Sequence, residues 1–133
     1  MDRRTVIGNL IAIGIMLLSS NVLGAEPTKD SLETVKKGLE EKKAVLVDVR
    51  EKREWNSGYV DAAILLALSE LQEGMSANAL GQRLPEKTII YTYCAAGVRS
   101  CIAADFLAEH GYDVRPLKPG YRDLLKAGFP PAE

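Results

Sequence analysis

The chain has 133 residues, of which 47% are hydrophobic and 26% charged, and its formal net charge is −1. This balance is typical of one globular domain and excludes an intrinsically disordered chain. Because there is no basic surplus, the composition gives no electrostatic basis for binding nucleic acid, and nucleic acid is not an expected partner.

Residues 1–25 differ in character from the rest of the chain. An arginine pair precedes a long uncharged stretch, which has a short apolar centre and small residues after it. This three-part layout predicts a secretory signal peptide cleaved after Gly24 or Ala25, which leaves residues 26–133 as the mature domain. A retained membrane anchor is the alternative, since the uncharged stretch approaches the ~20 residues of a spanning helix. Either way the domain is expected to be periplasmic or otherwise exported, and cleavage would leave no stable membrane association.

The first half of the mature chain shows helix and strand patterns in alternation. Leucine and valine at three- and four-residue steps predict an amphipathic helix over residues 28–43, capped by Thr28 or Asp30. The apolar run "AVLVDVR" is typical of a buried parallel strand. We further predict a short helix at "EKREW", a strand at "AAILLAL", and one or two short helices in "SELQEGMSANALGQRL".

The second half continues the alternation. "TIIYTY" is rich in β-branched and aromatic residues and gives the clearest strand pattern. It is followed by a helix at "RSCIAADFLAEHG", a short strand at "DVRPL" and a last helix at "GYRDLLKAG". Strands alternating with helices predict one α/β domain with a mostly parallel sheet and flanking helices.

Cys94 directly follows the "TIIYTY" strand. Ligands of open parallel sheets bind beyond the carboxyl ends of the strands, so Cys94 is predicted to lie where chemistry takes place. Only the thiolate form of cysteine is a strong nucleophile, and backbone N–H groups turned towards the sulfur would favour it. The predicted anion-binding loop consists of Ala95, Ala96, Gly97, Val98 and Arg99. A buried core cysteine is the alternative interpretation.

The histidine and cysteine content excludes two other classes of site. The single histidine, His110, lies at the far end of the helix after the loop, ~16 Å along the axis from Arg99, which excludes a Cys–His protease. One histidine and two cysteines cannot complete a usual zinc site, so neither a metal nor another cofactor is expected. A Cys94–Cys101 disulfide would close too short a loop to stabilise much. Cys101 is therefore interpreted as a core residue or as the resolving thiol of a redox pair.

Three segments, "LVDVREKREWNSGYVDAAILLAL", "IIYTYCAAGVRS" and "PLKPGYRDLLKAGFP", resemble a single-domain rhodanese over roughly residues 32–130. With its export signal, the chain is similar to the small sulfurtransferases of the phage-shock protein E type. The resemblance implies a three-layer rhodanese fold with a four- to five-stranded sheet and helices on both faces. It also implies that Cys94 takes the outer sulfur of thiosulfate, releases sulfite, and passes the sulfur from a persulfide to cyanide or a thiol.

The spacing of the loop bears on the substrate. Cys94 and Arg99 form a C-x4-R loop, as in sulfur-handling rhodaneses, whereas related phosphatases and arsenate reductases use C-x5-R. An arsenate reductase or phosphatase, a Cys94/Cys101 thiol–disulfide protein, and a non-catalytic sulfur carrier remain alternatives. The family often reads "GHIPGA" where this chain has "GYVDAA", so Ala62 stands in place of a glycine.

The remaining charged residues near the loop are expected to support it. Asp48 and Arg50 end the strand predicted to lie beside the Cys94 strand, and Asp48 is expected to order the loop by hydrogen bonding or pairing. Exposed charges at a strand end are the alternative. Arg99 is expected to steer thiosulfate and support the thiolate, or to brace the loop through a salt bridge, and Glu54 is interpreted as a helix packing and capping residue. A domain of about 108 residues folds alone, so a monomer is expected.

Overall fold

The computed structural model describes residues 24–133, so the predicted signal peptide lies almost wholly outside the described residues. Helices and strands alternate along this part of the chain, and none of its helices is long and apolar enough to cross a membrane. In chain order the elements are α1 (Leu32–Glu40), β1 (Ala44–Asp48), α2 (Lys52–Asn56), β2 (Ile64–Leu65), α3 (Leu68–Glu73), α4 (Ala77–Arg83), β3 (Ile89–Tyr93), α5 (Val98–Glu109), β4 (Asp113–Pro116) and α6 (Tyr121–Lys126).

The four strands form one parallel sheet in the order β2-β1-β3-β4, which confirms the predicted α/β fold. β1 lies beside β3 as expected, with Asp48 opposite Tyr93. The pairing continues one residue further, because the Val49 N–H donates to the Tyr93 carbonyl oxygen at 3.0 Å. The residues after β1 therefore lie beside Cys94, the residue after β3.

Helices cover both faces of the sheet, which gives the predicted three layers. Successive strand side chains point to opposite faces, so neighbouring residues enter different apolar clusters. On one face β1 and β3 pack against α3, α4 and α5 through Val47, Ile90, Leu71, Leu80 and Leu107. On the other face the strands pack against α1 and α6 through Leu46, Tyr91, Val35 and Leu124. Each such fully buried side chain contributes about 1.5–3 kcal/mol to the free energy of folding.

The predicted cap of the first helix is wrong. α1 begins later than expected, and its N-cap is Ser31, whose hydroxyl accepts a hydrogen bond from the Thr34 N–H at 3.1 Å. Asp30 instead accepts hydrogen bonds from the Tyr91 hydroxyl at 2.7 Å and from Arg115 at 2.9 Å. Its carboxylate is thus used to hold the chain before α1 against β3 and β4, a role that local sequence cannot indicate.

The strand predicted at "AAILLAL" is mostly not a strand. Only Ile64–Leu65 pair as β2, while Leu66 is fully buried and Leu68 already begins α3. The N–H groups of Leu66 and Leu68 donate to the carbonyl oxygens of Asp48 and Val49, each at 2.9 Å. The apolar run therefore reflects burial beside β1, which is compatible with a strand, a loop or the first turn of a helix.

The turn before β2 has an unusual backbone. Ala62, which stands where the resembled family often has glycine, adopts a φ of 65°. A residue with a Cβ pays about 1–2 kcal/mol for this left-handed conformation. The turn is held by the C-terminal segment, since the Asp61 N–H donates to the Pro130 carbonyl oxygen at 2.8 Å.

The segment before α6 packs directly on the loop that follows Cys94. A Cβ on Gly120 would lie 1.8 Å from the carbonyl oxygen of Ala95 and 3.0 Å from that of Cys94. The next residue, Tyr121, donates its N–H to the Cys94 carbonyl oxygen at 2.8 Å. Only glycine fits at this contact, which ties the start of α6 to the loop.

We expect Gly120→Ala to lower the free energy of unfolding by about 2 kcal/mol or more, because an added methyl group forces this contact apart. Urea denaturation measures the change. Gly81→Ala is the matched control, since Gly81 lies inside α4 with nothing within 4 Å of an added Cβ. It should stabilise the protein by about 0.5–1 kcal/mol through better helix propensity. Equal unfolding midpoints for the two variants would contradict this account.

Candidate active site

Cys94 lies just beyond the carboxyl end of β3, and its side chain is 1% exposed. Its sulfur accepts a hydrogen bond from the Gly97 N–H at 3.0 Å. Gly97 has a φ of 92°, which suits glycine, and a Cβ there would lie 2.7 Å from the Lys118 carbonyl oxygen. Glycine is therefore required at position 97 both by the backbone of the turn and by the nearby segment at Lys118. This turn directs the Gly97 N–H at the Cys94 sulfur.

Most of the other residues of the predicted loop lie at the protein surface. Ala95 and Ala96 are exposed, and Val98 is 66% exposed. Val98 and Arg99 form the first turn of α5, where backbone N–H groups lack helical partners and the helix dipole favours negative charge. Of the predicted loop amides only that of Gly97 donates to the sulfur among the hydrogen bonds of the described residues. The helix start adds a second source of positive potential near Cys94.

Two buried hydroxyls fix the base of the loop. The Thr92 hydroxyl donates to the Ser100 carbonyl oxygen at 3.1 Å. The Ser100 hydroxyl lies 3.0 Å from the carbonyl oxygen of Gly97 and 3.2 Å from that of Leu117. Within residues 24–133 no buried side-chain nitrogen or oxygen lacks a hydrogen-bond partner. The loop is thus held to β3, to α5 and to the segment after β4.

Arg99 is paired with Glu54 on α2. Its two terminal nitrogens donate to the two carboxylate oxygens at 2.7 and 2.9 Å. These hydrogen bonds lower the pKa of Glu54 to about 2 and raise the pKa of Arg99. Arg99 therefore braces the loop, the second of its two expected roles. Glu54 does accept the Glu51 N–H as a capping residue, but the sequence interpretation missed its contact with Arg99.

Asp48 and Arg50 form a buried ion pair, 0% and 5% exposed, so the alternative of exposed strand-end charges is wrong. The carboxylate of Asp48 accepts from the Arg50 backbone N–H at 2.9 Å and from its guanidinium at 2.8–3.1 Å. Asp48 therefore pairs with Arg50, and the expected bond from Asp48 to the loop is not among the hydrogen bonds of the described chain. Arg50 also donates to the Gly58 carbonyl oxygen at 2.7 Å, and its guanidinium carbon lies 4.3 Å from the ring centre of Tyr121.

A cavity of about 530 Å³ opens in front of the loop. Ala95, next to Cys94, contributes to its wall. The other lining residues are Arg50, Arg53, Glu54, Ser57, Gly58, Tyr121 and Arg122. Sequence reasoning did not select Arg53, Tyr121 or Arg122, although each follows a loop at the carboxyl end of the sheet. A larger cavity of about 650 Å³ borders the amino end of β1, and none of the described residues that line it is a cysteine or histidine.

Cys101 is a free thiol buried in α5, as the core interpretation expected. Burial raises the pKa of Cys101, which disfavours the thiolate that a resolving cysteine needs. His110 lies at the C-cap of α5, at the opposite end from the loop. No group of three or more histidine, cysteine or acidic side chains in residues 24–133 is placed to hold a metal ion.

We expect Asp48→Asn to cost about 3–5 kcal/mol of unfolding free energy, because it leaves the Arg50 cation buried without a counter-charge. Urea denaturation at neutral pH measures the loss. The double variant Asp48→Leu/Arg50→Met should recover much of it, since removing both charges removes the desolvation cost. A loss below about 1 kcal/mol for Asp48→Asn would show that Arg50 is not held by this pair.

The Glu54–Arg99 pair should make stability pH-dependent in acid. The pKa of Glu54 falls from 4.5 to about 2 in the folded protein. Its contribution is therefore fully present above pH 4.5 and is lost as the pH falls towards 2. The side chains are 25% and 32% exposed, so water screens the pair and we expect a contribution of about 1 kcal/mol.

The difference in unfolding free energy between wild type and Glu54→Gln, measured from pH 7 to pH 3, should shrink below pH 4.5. Glu70→Gln is the matched control for stability, because Glu70 also caps a helix but its contact with Arg83 is longer, at 3.4 Å, and its difference from wild type should be smaller. A pH-independent difference for Glu54→Gln would exclude the ion pair as its cause.

Comparison with known proteins supports the fold. The family model described as "Rhodanese-like domain" matches residues 31–127. The human single-domain sulfurtransferase TSTD1 superimposes with a TM-score of 0.65 and 26% identity, covering 77% of this chain and 97% of that one. A rhodanese from E. coli, solved with anions, superimposes with a TM-score of 0.54 and 25% identity. The match covers 68% of this chain and 98% of the E. coli chain.

Curated relatives match over a shorter region. A tRNA uridine(34) hydroxylase from Chlamydia muridarum (strain MoPn / Nigg) is 32% identical over 76 residues. That region is 56% of this chain and 23% of the relative, so the chain spans about a quarter of the length of such proteins. The phage-shock protein E subtype is not confirmed by these matches. The match to residues 31–127 and the sulfurtransferase neighbours show that this chain belongs to the rhodanese-like domain family, whose members include sulfurtransferases.

Proposed function

We propose that this protein is an exported thiosulfate sulfurtransferase that carries sulfur as a persulfide on Cys94. The observation that carries the proposal is the position of the Cys94 sulfur, which accepts the Gly97 N–H at 3.0 Å beside the start of α5. A hydrogen bond to a charged group stabilises it by about 1.5–3 kcal/mol, so this contact favours the thiolate. The amide and the helix start thus supply the positive potential that a nucleophilic cysteine needs.

The first half-reaction forms one bond and breaks one. The Cys94 thiolate attacks the outer sulfur of thiosulfate, the S–S bond of thiosulfate breaks, and sulfite leaves with the bonding electron pair. The product is a persulfide whose terminal sulfur carries the negative charge that the thiolate brought. The positive potential of the helix start beside Cys94 supports the proposal, because it favours this anion as well as the thiolate.

The second half-reaction returns the enzyme to its starting state. Cyanide or a thiolate attacks the terminal sulfur of the persulfide, and Cys94 leaves as the thiolate. The two half-reactions consume no oxidant or reductant, so this transfer of sulfur requires neither a metal nor an organic cofactor. The Glu54–Arg99 and Asp48–Arg50 pairs keep the loop and cavity in shape through both steps.

The alternatives are less well supported by the site. A Cys94/Cys101 redox couple needs a reactive second thiol, whereas burial raises the pKa of Cys101. A phosphatase or arsenate reductase needs a wider loop than C-x4-R. Activity on tRNA, which belongs to the hydroxylase relatives, is not proposed, because this chain spans 23% of such a protein and has no basic surplus.

Export and monomeric state are part of the proposal. Export rests on the composition of residues 1–25, and the monomeric state rests on the packing of the domain. The layout of residues 1–25 supports secretion, with the periplasm as the expected compartment. A mature domain with its own two-sided core has no need of a partner to fold.

Intact mass of the purified protein, before and after thiosulfate, tests the proposal. Wild type should gain the mass of one sulfur atom, and cyanide should remove it. Cys94→Ser should gain nothing, while Cys101→Ser should behave like wild type because its thiol takes no part. The starting mass also reports whether the predicted signal peptide has been removed.

Two results would overturn the proposal. If wild type gains no sulfur while Cys94 still reacts with an alkylating reagent, thiosulfate is not the donor. If Cys101→Ser abolishes turnover with both donor and acceptor present, the two cysteines act as a redox pair.

A further inference from the structure

The cavity in front of the loop is larger than the proposed small substrates require. Its volume of about 530 Å³ falls in the range of roughly 300–1,000 Å³ typical of sites for drug-sized ligands. Thiosulfate has only five heavy atoms and cyanide only two. Most of the space beside Ala95 is therefore available to a larger molecule that approaches the same sulfur.

Charge in this cavity is uneven. Arg50 is neutralised by Asp48, and Arg99 is neutralised by Glu54. The two other lining arginines, Arg53 and Arg122, are exposed, and neither forms an ion pair with a carboxylate of the described chain. The mouth therefore carries two positive charges that no carboxylate of residues 24–133 balances at contact distance.

These two arginines come from different parts of the fold. Arg53 lies on α2, beside the Glu54 that holds the loop arginine, and Arg122 lies on α6, beside the Tyr121 that holds the Cys94 carbonyl. Both helices are thus tied to the loop by the residue next to each arginine. Both arginines line the same cavity as Ala95, the neighbour of Cys94, and a guanidinium binds a carboxylate well because its donors match the two oxygens.

Access to the sulfur limits the shape of an acceptor. Cys94 is 1% exposed, and a persulfide would extend it by one S–S bond of about 2.05 Å. Ala95 lines the cavity and Cys94 does not, so an attacking sulfur must reach past Ala95 while the rest of its molecule remains in the cavity. A thiol on an unbranched CH2 group fits this shape.

We propose that the sulfur acceptor is a small primary thiol bearing carboxylate groups, and that Arg53 and Arg122 determine this specificity by binding the carboxylate. This inference rests on the proposed function and names the acceptor class. The acceptor thiolate attacks the outer sulfur of the persulfide, forming a new S–S bond, and the bond to the Cys94 sulfur breaks. The acceptor leaves as a persulfide and Cys94 leaves as the thiolate, so atoms and charge balance.

Single-turnover transfer from the sulfur-loaded protein tests the role of the two arginines. N-acetylcysteine and its methyl ester are the probes, because they share one primary thiol and differ in the carboxylate. The variants are Arg53→Gln, Arg122→Gln and the double change. Lys52→Gln is the matched control, since Lys52 is an exposed cation on α2 that does not line the cavity. Each rate is expressed relative to wild type for the same probe, which removes the difference in intrinsic thiol reactivity.

Each arginine variant should slow transfer to N-acetylcysteine about three- to fivefold, the size of an exposed ion pair, and the double variant by about tenfold or more. Transfer to the ester should stay within about twofold of wild type, and Lys52→Gln should leave both probes unchanged. High salt should reduce the effect of the substitutions, because it screens exposed charges.

Three results would overturn the inference. They are equal slowing of both probes, no slowing of either, and an effect of Lys52→Gln as large as that of the arginine variants. Failure of the proposed function is a different observation, since wild type would then take no sulfur from thiosulfate before any acceptor is added. Loading measured by intact mass therefore separates the two failures.

Discussion

The site depends on the buried ion pair between Asp48 and Arg50. A guanidinium at 5% exposure is stable only with a counter-charge and with its N–H groups bound, and Asp48 supplies the charge at the end of β1. Arg50 then donates to Gly58 after α2 and lies over the ring of Tyr121 at the start of α6. One cation thus joins the sheet to both helices that form the walls of the cavity.

The two arginine–carboxylate pairs lie at different depths and have different structural roles. Asp48–Arg50 is buried and sets the distance between the walls, whereas Glu54–Arg99 is partly exposed and holds the loop that carries Cys94. Both pairs neutralise themselves, so they contribute shape with little net charge. The positive charge available to a substrate therefore comes from the helix start at Gly97 and from Arg53 and Arg122, which line the cavity and pair with no carboxylate of residues 24–133. The paired arginines hold the structure, and the other two are free to bind a substrate.

Local patterns predicted the parts of this protein that local physics determines. The strand at "TIIYTY", the cysteine after it and the glycine turn at Gly97 follow from propensity and from the position of strand ends in a parallel sheet. Glu54 binds Arg99, which lies 45 positions further along the chain, and Asp30 binds Tyr91, which lies 61 positions further. A local sequence pattern therefore cannot include both partners of either contact. The strand that contains β2 was predicted too long for a related reason, because apolarity signals burial and leaves the backbone conformation open.

The loop around Cys94 is confined from both sides, and this bears on its substrate. A Cβ at Gly97 would lie 2.7 Å from the Lys118 carbonyl oxygen, and one at Gly120 would lie 1.8 Å from that of Ala95. The chain before α6 therefore occupies the space into which a longer loop would expand. A fifth residue between Cys94 and Arg99 would have to displace that chain or break the Glu54 pair. The packing thus fits a loop of four residues between Cys94 and Arg99, the spacing of sulfur-handling rhodaneses, and leaves no space for the longer loop of the related phosphatases.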